Sequence, residues 1–259
     1  PYAAKESYYL QVNQKMEQFL EDCKCGGAGI LGIGISFPGI MDLEKELVAD
    51  SHVLAVNHLP FSAINRFFPY PCHFINDANA GAYAEGIASE NRNRFFYLSL
   101  SNTVGGAVFS NGMLEQGRNF RCGEVGHMTV VPDGNACYCG KYGCLDAYCS
   151  AKCLTGGRVE DFFERLKQGE QEAVSLWERY TSYLAIAVNN IHMVLDCDIV
   201  LGGYVGSCMG EFVQDIRIKV SERNTFEEDG SFIRPCRHKT GAAALGAAFK
   251  VMELFMEQI

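Results

Sequence analysis

Apolar residues at spacings of three and four open the chain. Tyr9, Val12, Met16, Phe19 and Cys23 fall on one stripe of a helix over residues 5–23. Glycines at 26, 27 and 29 stop it. The run ILGIGIS at 30–36 predicts a buried strand, and Pro38-Gly39 a turn. A short strand at 73–75 leads into Asn76-Asp77-Ala78-Asn79, and a helix of small residues follows over 80–89. Residues 94–100 and 105–109 read as two strands, with Ser110-Asn111-Gly112 as a hairpin turn after the second. A long helix over 170–195 feeds a strand at 198–201 that ends in Gly202-Gly203. Further helices occupy 208–222 and 241–258. Strands alternating with helices argue an α/β architecture. The polar stretch SENRNR at 89–94 marks the expected break between two lobes. No internal repeat or low-complexity tract is present.

Composition narrows the function classes. The 259 residues are 48% hydrophobic and 20% charged, ordinary for a globular chain with one large domain or two lobes. The formal net charge of -9 is a poor match to a duplex-binding surface, which must neutralise phosphates. No apolar run is long enough to span a membrane, and Lys5, Glu6 and Ser7 interrupt any early apolar stretch, so neither a span nor a signal peptide is expected. Twelve cysteines without a secretory signal point to the reducing cytoplasm. A start at Pro1 suggests a processed chain or a fragment.

Those cysteines include one concentrated cluster. Gly123-Glu124-Val125-Gly126-His127 is followed by Cys137-Tyr138-Cys139-Gly140-Lys141-Tyr142-Gly143-Cys144. One imidazole and three thiolates suit zinc, and four protein ligands leave no open position, so His127, Cys137, Cys139 and Cys144 are expected to hold a structural ion. Gly140 and Gly143 let the loop curl back on itself. The bland alternative is a set of unpaired buried thiols. Three of them within eight residues, interleaved with glycine, is costly without a metal. Cys23-x-Cys25 lacks a third ligand nearby, and His58, His73, His192 and His238 read as ordinary surface or core residues.

GEVGH followed by CYCGKYGCLD resembles the zinc-and-sugar motif of the ROK family (repressors, open reading frames, kinases). The resemblance extends to GIGISFPG (32–39), NDANAGAYAE (76–85), DIVLGG (198–203) and GAAALGAA (241–248), nearly the whole chain. It implies a two-lobed actin-like ATPase or ribonuclease H-like α/β fold. The first lobe would be residues 1–90, incomplete at its N-terminus and completed by the last helix over 241–259. The second would be 91–240, with the zinc loop at 123–146. A hexose or N-acetylhexosamine would lie between them. Carried over by position, Gly39, Asn76, Asp77, Glu124, His127 and Asp146 would line the sugar, with His52 near the opposite rim. His127 would hold zinc with one ring nitrogen and sugar with the other. Asp146 stands where the family usually has a longer Glu. In the family's kinases the residue at Asp77 is the general base for phosphoryl transfer. Asn76-Asp77-Ala78-Asn79 also fits a plain helix N-cap.

The resemblance implies a degraded nucleotide half. Family kinases carry a D-x-G-G-T turn on an N-terminal hairpin, absent here, and a G-T-G-x-G-G-G run. Ser101-Asn102-Thr103-Val104-Gly105-Gly106-Ala107 replaces three of those glycines. Asn102, Thr103, Gly105, Gly106, Gly202 and Gly203 mark the remnant of a nucleotide site. ATP and Mg²⁺ would bind only if the protein is a kinase. The expected function is the sugar-sensing body of a NagC/XylR-like regulator, a homodimer that reads DNA only through a helix-turn-helix outside this chain. The alternative is an ATP-dependent sugar kinase. A first lobe without its N-terminal strands would expose a sheet edge.

Overall fold

The run Phe95–Leu100 is apolar at nearly every position, and the fold buries both of its faces. Phe96, Leu98 and Leu100 enter one core cluster, Phe95 and Tyr97 another, because successive side chains alternate across a strand. Such a strand belongs in the middle of a sheet covered on both sides.

The computed structural model describes residue 3 and residues 5–23, 29–89 and 94–257. Cys25, Gly26 and Gly27, and residues 90–93 of the expected break, lie outside that set. The first part runs α1 (Glu6–Asp22), β1 (Ile33–Phe37), β2 (Ile40–Asp42), β3 (Leu47–Ser51), β4 (Val56–Pro60), α2 (Ser62–Asn65), β5 (Cys72–Asn76) and α3 (Asp77–Ile87). It continues with β6 (Phe95–Leu100), β7 (Val104–Ser110), β8 (Met113–Glu115), α4 (Asp146–Cys149), α5 (Val159–Lys167) and α6 (Gln171–Leu195). Last come β9 (Asp198–Gly202), α7 (Gly203–Cys208), α8 (Val213–Ser221), β10 (Ile233–Pro235) and α9 (Ala242–Met256).

Among the described residues three sheets result. The largest has the order β10-β9-β6-β7-β8, with β9 parallel to β6 and β7 antiparallel to it. Trp177, Tyr180, Leu184 and Val188 of α6 cover one face together with Phe162 and Phe163 of α5 and Ile216 of α8. Ala82 and Tyr83 of α3 cover the other. β1 and β5 pair in parallel, with Phe37 opposite Asn76. Among the described residues, β1 has no partner on its other edge. β2, β3 and β4 form an antiparallel sheet whose buried Met41 and Val48 join Tyr9, Phe37 and Phe74 in a separate core.

Two small-residue seams explain the alanine- and glycine-rich helices. A Cβ on Gly246 of α9 would stand 1.8 Å from the Ala80 carbonyl oxygen of α3, and one on Gly34 of β1 would stand 2.3 Å from the Ala247 oxygen. Glu85 of α3 is fully buried and accepts the backbone N–H groups of Arg237 and His238 at 2.7 and 3.0 Å. It thereby fastens α3 to the segment after β10.

Several elements depart from the sequence expectations. The small-residue helix starts at Asp77 instead of residue 80, because Asn76 caps it. The helix expected over 208–222 starts late, as α8 at Val213, after a 3₁₀ turn at Met209–Glu211, and α7 precedes that turn. The β2–β4 sheet, α5 and β10 were not anticipated. No helix of the described residues is long and apolar enough to cross a membrane.

Candidate functional site

β1 and β5 end side by side, and the residues just beyond them line a cleft of about 860 Å³. Gly39 follows β1. Its φ of +137° suits glycine, and a Cβ there would stand 2.6 Å from the Asp50 carbonyl oxygen. Asn76 ends β5 and caps α3: its Oδ1 accepts the Asn79 N–H at 3.0 Å, and its Nδ2 donates to the Gly39 carbonyl at 3.0 Å. Capping therefore uses one lone pair of the amide, and the Gly39 bond one N–H. The side chain also hydrogen-bonds the Asp77 carboxyl, so the second lone pair is what remains for a ligand. Asp77 comes next, its Oδ1 accepting the Ala78 N–H at 3.0 Å. Burial pushes its carboxyl above the usual value, against several lowering hydrogen bonds.

The facing wall is the GEVGH segment. Gly123 has φ +92°, and a Cβ there would stand 2.2 Å from the Gly106 carbonyl oxygen; on Gly126 it would stand 2.0 Å from that of Val104. Both glycines let the turn Val125–His127 lie against β7. Glu124 and His127 then face the cleft. Burial raises the Glu124 carboxyl, Asp77 adds to the rise and His127 opposes it.

Behind this wall, donor atoms of His127, Cys137, Cys139 and Cys144 all lie within 4.8 Å of one another, a group that could hold a metal ion. Cys139 Sγ and Cys144 Sγ are 3.7 Å apart, and Cys137 Sγ is 3.9 Å from His127 Nδ1. Ligands around one tetrahedral zinc at bond lengths of about 2.0–2.3 Å stand roughly 3.3–3.8 Å apart, so these two pairs already stand near that spacing and the rest, within 4.8 Å, would close by up to about 1 Å. Gly140 and Gly143, at φ +81° and +78°, supply the left-handed turns.

His127 Nε2 points away from the thiols and lies 3.4 Å from Tyr138 Oη. When Nδ1 ligates a metal, Nε2 carries the ring proton and donates it. Tyr138 also approaches His52 on the β3–β4 turn, with ring centroids 5.8 Å apart, so it spans the cleft mouth. His52 Nε2 is 3.0 Å from Asp50 Oδ2.

The structure thus brings Gly39, His52, Asn76, Asp77, Glu124 and His127 into one cleft. It does not bring Asp146 into that lining. Asp146 Oδ2 accepts the Val104 N–H at 2.6 Å, and the side chain is buried beside the β6–β7 turn. The residues expected to bind nucleotide divide. Gly105 and Gly106 line the cleft itself. Asn102, Thr103 and Gly203 line a neighbouring cavity of about 300 Å³, with Ser101, Tyr97 and Asp77. Gly202 is covered by the Tyr97 ring, 2.1 Å from a Cβ position there, and the Gly203 N–H donates to Tyr97 Oη at 3.3 Å.

Sequence reasoning missed Tyr138 and Phe120. Tyr138 sits between two cysteines of the candidate metal cluster, which is a signal. Phe120 enters the lining from a loop at φ +56°, a position for which the sequence holds no cue.

A model of the ROK family matches residues 2–253. The chain is 29% identical to a xylose repressor of Bacillus spizizenii over 88% of its own length and 63% of that protein. It is 30% identical to an N-acetylmannosamine kinase of Escherichia coli over 78% of its own length and 75% of the enzyme. Among solved structures, a glucokinase from Streptomyces griseus in complex with glucose and AMPPNP superposes with TM-score 0.76 at 23% identity, covering 91% of this chain and 88% of that one. A transcriptional regulator homologous to Escherichia coli MLC superposes with TM-score 0.76 at 22% identity, covering 96% of this chain and 69% of that one. The chain therefore spans just under two thirds of the xylose repressor it matches.

Proposed function

Because the chain belongs to the ROK family, we propose that it is the zinc-stabilised, sugar-binding body of a transcriptional regulator whose DNA-reading segment lies outside this chain. The fold is the family's actin-like ATPase fold. The observation that carries the reading is the asymmetry of the two cavities flanking Asp77. On one side Asn76, Asp77, Glu124 and His127 converge and offer the mixed donors and acceptors that sugar hydroxyls need. On the other, phosphate binding would require a concavity of bare N–H groups. Ser101, Asn102 and Thr103 put side chains there, and the Gly203 N–H is engaged by Tyr97.

The ligand is a hexose or N-acetylhexosamine. Its binding closes the lobe 1–90, with 241–259, onto the lobe 91–240. In a homodimer that closure biases the DNA-bound state. Zinc is the metal that a set of one imidazole and three thiolates selects, and it fixes His127 for the sugar.

One observation favours the second reading, an ATP-dependent sugar kinase. Asp77 lines both cavities with a carboxyl raised by burial, as a general base for a sugar hydroxyl requires. Calorimetry with glucose, xylose and N-acetylmannosamine, run beside an ADP-release assay on the full-length protein, separates the two. The regulator reading expects saturable binding of one sugar, its loss in Glu124→Gln, and no sugar-dependent ADP release. Robust ADP release establishes the kinase instead.

A further inference from the structure

A second chamber of about 280 Å³ adjoins the cleft. Gly39, Asn76, Gly106, Phe120 and Glu124 line both spaces, so the two communicate through a window framed by proposed sugar-binding residues. The chamber's deeper walls include Met41 of β2, Tyr83 of α3, Leu114 of β8 and Lys250 of α9. Met41 and Tyr83 are buried, so these walls belong to the packed frame of the fold. Lys250 is paired with Glu253. The Glu257 carboxylate and two neutral polar side chains are left over. The side-chain amides of Asn79 and Gln116 face this space with no hydrogen bond among the described residues.

Size and chemistry select the occupant. The volume equals that of about nine waters at about 30 Å³ each. An acetamido substituent is far too small to fill it, whereas a second pyranose ring suits it. A pyranose presents C–H faces, which Tyr83 and Phe120 can cover, and a girdle of hydroxyls, which free amides bind as both donor and acceptor. An anionic substituent finds no free cation among the described lining residues, because Lys250 is already paired.

We infer that this chamber is a second sugar subsite and that the ligand is a disaccharide, one ring on Asn76, Glu124 and His127 and the other through the window. The inference rests on the sugar-binding reading of the cleft. It implies that an upstream hydrolase or transporter delivers oligosaccharide fragments of at least two units.

Calorimetry on the full chain tests it with glucose, xylose, mannose and N-acetylmannosamine against maltose, cellobiose and xylobiose. At least one disaccharide is expected to bind tenfold or more tightly than its own monosaccharide. Leu114→Trp, which fills the chamber, should erase that gain and leave monosaccharide affinity unchanged. Gln116→Ala, at an exposed position that tolerates change, should reduce the gain severalfold and keeps the test valid if Leu114→Trp does not fold. Monosaccharide binding with no gain from any disaccharide overturns the inference. So does a gain for N-acetylmannosamine over mannose alone. If no saccharide of either length binds, the sugar reading of the cleft has itself failed, and the inference falls with it.

Discussion

Burial holds the Asp77 carboxyl above its ordinary value of 3.8, so the native state takes up a proton that the unfolded chain has already released. Stability then falls as pH rises from about 3.8 through the raised native value. Asp77→Asn removes this burden while keeping an acceptor for the Ala78 N–H. The variant is expected to melt at a higher temperature than the parent at pH 7, to converge with it below the ordinary carboxylate value, and to lose sugar binding. Thermal melts across pH, read beside calorimetry, check both halves; a variant less stable at pH 7 would show that the burial is compensated. Tyr138 poses a different residue-scale question. Its Oη sits on His127 Nε2, the atom proposed for the sugar, so ligand and tyrosine compete. Tyr138→Phe keeps the ring and removes the competitor. A net hydrogen bond is worth about 0.5–1.5 kcal/mol, so affinity should tighten roughly two- to tenfold. Weaker binding would mean that Oη itself contacts the sugar.

The clustering of His127, Cys137, Cys139 and Cys144 was the most legible feature because its chemistry is local: three cysteines and a histidine within eighteen residues leave few arrangements. The GEVGH turn was legible for the same reason, and its glycines prove to be the places where the loop meets β7 backbone. Gly126→Ala forces a Cβ against the Val104 carbonyl and should cost about 1–3 kcal/mol, measured by denaturant unfolding. Chelation, or Cys139→Ala, should lower the melting temperature and abolish sugar binding together. Sugar affinity that survives metal loss would reduce His127 to a structural ligand. The β2–β4 sheet was illegible for a physical reason. Its turns use Glu46 and Ala55 at φ near +50°, where glycine or asparagine would have announced a turn. Asp146 is a different case: a motif fixes a residue's position in the chain, but in this structure its carboxylate accepts the Val104 N–H and stands outside the cleft lining.

At the scale of the whole molecule, β1 offers an edge without a strand partner among the described residues. Beside it runs an apolar groove of about 520 Å³ walled by Tyr8, Val12 and Met16 of α1 and by Ile33 and Ile35. Such an edge invites another strand. The isolated chain is expected to self-associate in sedimentation velocity, and Val12→Lys, which puts a charge at the groove rim, should shift it toward monomer. An unchanged distribution would place the association elsewhere. The crossing of α3 and α9 has a mechanical meaning. No side chain separates the two backbones at Ala80 and Gly246, so α3 and α9 are held together as one stiff unit of the lobe formed by 1–90 and 241–259. Asn76 and Asp77 sit within a turn of that contact, and Lys45 and Arg118 lie out on the rim. Fluorophores introduced as non-natural amino acids at 45 and 118 should draw together on sugar binding, while a pair on α3 and α9 beside the contact holds its distance. A ligand gripped beside this stiff base would thus be read out at the cleft rims, where a small rotation becomes a displacement that another protein surface can sense.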